Sequence, residues 1–140
     1  MTVIPLRQDA PKSCILELYN TDYTLNPYSD RLTSQGYEVF HASNYEDGIR
    51  LAHDCNPVLV VVHDDPNANV DAVRWLELQH YDRAPQLAMT PLMVLADASR
   101  LPTLSVEELP DRVVVIPRRA DTLNQMARAV KRLLKVWQIE

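Results

Sequence analysis

The residues best able to do chemistry in this 140-residue chain stand at the ends of short apolar runs. Tyr19-Asn20 closes the run that begins Cys14-Ile-Leu-Glu-Leu. His63-Asp64-Asp65 follows Val58-Leu-Val-Val-Val62. Ala96-Asp97 ends the run from Leu92, and Pro117-Arg118-Arg119 follows Arg112-Val-Val-Val-Ile116. Adjacent carboxylates suit a hard cation, which takes oxygen ligands. A histidine titrates near neutrality and can act as acid, base, ligand or pH-sensitive hydrogen-bonding group. Two neighbouring guanidiniums can hold an anion through forked hydrogen bonds. His41 is a further candidate ligand beside His63, Asp64 and Asp65, but no metal-site spacing links the four.

The elements that must position these residues follow from the pattern. Five apolar runs read as strands: Cys14 to Tyr19, Tyr37 to Phe40, Val58 to Val62, Leu92 to Ala96 and Arg112 to Ile116. Val58 to Val62 is continuous, β-branched and apolar, as a parallel strand covered on both faces requires. Between them lie amphipathic segments. Asn26-Pro27 caps and opens a helix that Gly36 ends. Ser43 or Asn44 opens a second, which stops before Pro57. A third spans Val70 to Tyr81, and a short one lies near Ser105 to Leu109. The last starts at Asp121 and carries Leu123, Met126, Ala127, Val130, Leu133, Leu134 and Trp137 at helical spacing. Alternating strands and helices predict an α/β fold, a doubly wound (βα)5 parallel five-stranded sheet of the flavodoxin-like kind. Ligands in such folds bind at the carboxyl ends of the strands, where the chemistry-bearing residues fall.

Composition narrows the function. The net charge of −5 excludes bulk attraction to nucleic acid or anionic membrane. Arg128, Lys131, Arg132 and Lys135 on the last helix therefore read as a solvated face. With 2 Gly against 10 Pro, several loops are expected to be stiff. The 2 cysteines, Cys14 and Cys55, form no framework and read as free thiols of a reducing compartment. No apolar run approaches the ~18 residues of a membrane span. Residues 1–12 read as a flexible lead-in without a signal-peptide core, and 13–140 as one domain, expected in the cytoplasm.

The chain resembles the CheY-like receiver domains of response regulators. The resemblance is carried by ILELYN at 15–20, GYEVFHA at 36–42, NPVLVVVHDDP at 56–66, PLMVLAD at 91–97 and VVVIPRRADTL at 113–123. The spacings from Asn20 to Gly36 and from Ala96 to Arg118 also fit. The resemblance implies a phosphorylation site with an acidic pair for Mg²⁺, an acceptor aspartate, a hydroxyl residue and a lysine. Those positions hold Tyr19 and Asn20, His63, Ala96 and Arg118. The aromatic switch position holds Val115. Because phosphoryl transfer depends on positioned charge, loss of all five argues for a pseudo-receiver with no catalytic residue, metal or cofactor.

Two other readings stand beside this one. A one-residue shift brings Asp64, or else Asp65, to the acceptor position, with Asp22 joining the acidic site; the plainer reading makes Asp64-Asp65-Pro66 a turn. Alternatively, Tyr19, His63 and Arg118 line a small-molecule cleft. Arg118 is expected to pair with Asp64 or Asp65. By resemblance, the interaction face runs from Leu101 to Trp137 and includes Val115, Arg119, Arg128 and Arg132. The expected partner is a signalling protein (a histidine kinase or transcription regulator) or a second copy of the chain.

Overall fold

Val58-Leu-Val-Val-Val62 lies at the centre of a five-stranded sheet, as its apolar run demands. The computed structural model describes residues 13–20, 26–106, 110–119 and 121–137. Its strands are β1 (Cys14–Leu18), β2 (Glu38–Ala42), β3 (Leu59–His63), β4 (Leu92–Ala96) and β5 (Val113–Pro117). They pair in parallel in the order β2-β1-β3-β4-β5. The helices are α1 (Pro27–Ser34), α2 (Tyr45–Cys55), α3 (Ala72–His80), α4 (Pro85–Met89), α5 (Leu101–Val106) and α6 (Thr122–Trp137).

The sheet separates two apolar layers. On one face Ile15, Leu59, Val61, Met93 and Leu95 pack against Leu32 of α1 and Met126, Val130 and Leu133 of α6. On the other, Leu16, Leu18, Val60, Val62 and Val94 meet Ala52, Trp75, Leu87 and Leu104 from α2 to α5. Strand side chains alternate between faces, so each buried strand must be apolar on both.

Local signals set most boundaries. The Asn26 side chain accepts from the Tyr28 and Ser29 N–H groups, both 3.1 Å, with Pro27 at the first helical position. Gly36, at φ +98°, takes the turn that α1 needs to reach β2. Asn44, not Ser43, caps α2 through the Asp47 N–H at 2.8 Å. Asp121 accepts the first bond of α6, from Gln125 N–H at 3.0 Å.

Three segments depart from the sequence pattern. The third helix starts at Ala72, because Val70 bridges back to Asp65 and Asp71 takes the cap. A short helix, α4, precedes β4; its start at Pro85 was hidden in a polar, proline-containing stretch. The helix after β4 begins at Leu101 rather than near Ser105, following directly from a 3-10 turn at Ala98–Arg100. Residues 107–109, the lead-in 1–12, Asp22 and the Trp137 side chain lie outside the described residues.

Candidate functional site

The strand order reverses direction between β1 and β3, and the carboxyl ends of these two strands carry the candidate site. Leu18 is paired with Val62, so Tyr19 and His63 are next to each other across the pair. Their rings stack with centroids 3.9 Å apart and planes inclined by 13°. Tyr28 of α1 meets the same imidazole edge-on at 4.9 Å. Beneath it, His63 Nε2 lies 2.6 Å from Glu17 Oε2. Asn26 donates to the other carboxylate oxygen at 2.7 Å. Asn26 thus caps α1 with its oxygen and holds Glu17 with its nitrogen.

His63 and Glu17 are both buried. Burial pushes the imidazole below its ordinary value of 6.5; Arg118 acts in the same direction, and the Glu17 hydrogen bond opposes them. The ring is therefore neutral near pH 7, with its Nε2–H donated to the carboxylate. Burial also pushes the Tyr28 phenol up. At the carboxyl end of β3 the protein thus has a sealed, hydrogen-bonded imidazole.

Asp64 forms a second cluster. Its carboxylate is buried and receives Arg100 Nε at 2.8 Å, Arg100 Nη2 at 3.2 Å and the Ala72 N–H of α3 at 2.8 Å. Arg100 also reaches Asp71 at 3.1 Å. The hydrogen bond to Asp64 holds the Arg100 guanidinium above its usual range. The expected pairing of Arg118 with an Asp64 or Asp65 side chain is not what the structure has. Arg118 donates to the Asp97 carboxylate and to the Asp64 backbone carbonyl, each at 3.0 Å. Arg100, arriving from the turn after β4, has already taken the Asp64 carboxylate. Only part of Asp64-Asp65-Pro66 is a turn: Asp65 is exposed before a 3-10 turn at Pro66–Ala68, whereas Asp64 points inward.

The remaining positions fit a divalent cation poorly. Tyr19 is committed to its stack, Asn20 donates to the Ala68 carbonyl at 2.6 Å, and Ala96 is buried. The carboxylates of Glu17 and Asp64 are already hydrogen-bonded. His41 lies against the Tyr19 carbonyl at 2.6 Å. Of the three residues expected to line a cleft, Tyr19 and His63 stack on each other, and Arg118 is engaged by Asp97 and the Asp64 carbonyl.

Glu17, Asn26 and Arg100 were missed as site residues. Glu17 carried a signal: a charge inside an otherwise apolar strand must find a partner, because burying it alone costs several kcal/mol. Arg100 had none, since its polar setting resembles any loop.

A second feature lies between the edge strand β5 and α6. Val114, Ile116, Ala129 and Leu133 line an open groove of about 580 Å³, with Arg128 and Arg132 at its rim. Val115 also lines it and is half-buried; Leu101 is half-buried at the start of α5, and Arg119 is exposed.

No family model and no curated protein matches the chain. Solved structures do. The chain is similar to a signal receiver domain of a histidine kinase from Syntrophus aciditrophicus, with 21% identity and TM-score 0.70 over 91% of this chain and 94% of that one. A response regulator from Desulfuromonas acetoxidans gives 18% identity and TM-score 0.65 over 89% and 98%. The chemotaxis response regulator CheY4 of Vibrio cholerae gives 16% and 0.60 over 88% and 99%. The chain has the CheY-like receiver fold.

Proposed function

We propose that the chain is a receiver-like module of two-component signalling that binds a protein partner without accepting a phosphoryl group and without catalysing a reaction. One observation carries this reading: His63, which the resemblance sets at the acceptor position, is sealed between Tyr19 and Tyr28 and hydrogen-bonded to Glu17. The neighbouring Asp64 is no ready substitute. Its oxygens are engaged by Arg100 and by α3, so phosphorylation must first break a part-buried, bidentate ion pair.

The β5–α6 groove supports the binding half. It combines an apolar floor with arginines at the rim, the composition favoured at protein interfaces. An acidic patch on a histidine kinase or transcription regulator, or a second copy of the chain, fits it. No helix among the described residues is long and apolar enough to cross a membrane. Amide NMR spectra recorded with Mg²⁺ and then beryllofluoride test the proposal. Unchanged signals at Asn20, His63 to Asp65 and Arg118 are expected. Saturable shifts there, spreading toward α6, would overturn it in favour of Asp64 or Asp65 as acceptor.

A further inference from the structure

Cys14 and Cys55 take no part in the site at the strand ends. Cys14 opens β1 and is buried; Cys55 is the last residue of α2 and half-buried. They meet because α2 runs back across the sheet and delivers its carboxyl end to the start of β1. The Cys14 thiol contacts the Cys55 sulfur, with the two Sγ atoms 2.7 Å apart. Both are free thiols, and the chain holds only these 2 cysteines. An intramolecular disulfide therefore has one possible pairing, with no route to scrambling.

We propose that Cys14 and Cys55 form a redox latch, a thiol pair that glutathione disulfide closes into a covalent link between the first strand and the second helix. The Cys55 sulfur, the more exposed of the two, attacks glutathione disulfide as its thiolate. It forms a mixed disulfide and releases one glutathione, which carries away the proton. The Cys14 thiol then loses its proton and attacks the Cys55 sulfur, releasing the second glutathione. Two protein thiols are oxidised and one glutathione disulfide is reduced to two glutathiones.

The surroundings set the speed. Burial pushes both thiols above their ordinary value, Cys14 strongly, and the nearby Glu38 acts in the same direction. Thiolate is scarce, so the latch closes slowly and responds to sustained oxidation rather than a brief pulse. Glu17 lies three residues along β1 from Cys14, about 10 Å at strand rise. Closure is thus expected to leave the Glu17–His63 pair undisturbed.

The test uses the folded, full chain equilibrated with glutathione redox mixtures, followed by non-reducing intact mass, peptide mapping and thermal melting. The expected product is a monomer lighter by two hydrogens, with a Cys14–Cys55 cross-linked peptide and Tm higher by roughly 5 °C or more. Reduced glutathione should reverse it, and Cys55→Ala should abolish it while remaining folded. A folded protein that stops at a Cys55–glutathione adduct, forms a disulfide-linked dimer, or stays unreacted while the urea-unfolded chain oxidises would overturn the latch.

Discussion

Glu17 and His63 belong to neighbouring strands and share a 2.6 Å hydrogen bond in which neither side chain reaches solvent. Glu17→Ala removes the partner of two donors, buried His63 and half-buried Asn26, and is expected to cost about 2–3 kcal/mol. Glu17→Gln keeps an acceptor and should cost about 1 kcal/mol. Urea unfolding measures both. Equal losses would show that the charge, not the hydrogen-bond partner, matters.

The same pair makes stability depend on pH. His63 is held below 6.5 in the folded protein, so below 6.5 the unfolded chain binds the proton more readily. Stability contributed by the neutral ring is complete above about 6.5 and declines as pH falls from there toward the folded-state value. Subtracting the profile of His63→Gln from that of the wild type should isolate this slope. A difference that grows with rising pH above 7 would contradict the assignment.

Arg100→Ala leaves the Asp64 carboxylate buried without its main partner and should destabilise by about 3 kcal/mol or more. Arg118→Ala, whose side chain bonds an exposed Asp97 and a backbone carbonyl, should cost about 1 kcal/mol. The order of the two variants in chemical denaturation decides whether Asp64 is tied by Arg100, as the geometry has it, or by Arg118.

Much of the fold was legible in the sequence because period and punctuation agreed. Asn26-Pro27, Gly36 and the apolar strands each meant one thing, and only the choice between Ser43 and Asn44 as the cap of α2 was left to the structure. The site was less legible because its bonds join distant segments. Nothing in the spacing of Asp64 and Arg100, or of Cys14 and Cys55, shows that they touch. The pairing expected for Arg118 failed for this reason: the competing arginine comes from a turn with no pattern of its own. The helix α4 is short, and its few apolar residues give no period to detect.

Gly48 offers a test of packing. A Cβ there would approach Trp75 to 2.9 Å, and Trp75 is pinned by its indole bond to Gln79 at 2.8 Å. Gly48→Ala should therefore destabilise by about 1–3 kcal/mol despite alanine's better helix propensity. Thermal melting checks this, and a stabilised variant would show that α2 can shift.

On the proposed docking face, Arg132→Glu should weaken a partner complex about tenfold while leaving unfolding within about 0.5 kcal/mol of the wild type. Trp137→Ala should also weaken it. Unaltered binding in titration calorimetry would move the interface elsewhere.

Asp64 joins four parts of the molecule: its N–H bonds to Leu95 of β4, its carbonyl to Arg118 after β5, and its carboxylate to Arg100 and the start of α3. A loop fastened on so many sides has no obvious second position to visit. Under the proposed function, such a domain has no phosphoryl-driven toggle at its strand ends and presents one standing β5–α6 surface to its partner. Its message is then written in copy number: occupancy of the partner follows concentration over Kd, and control passes from a phosphoryl mark to synthesis and turnover.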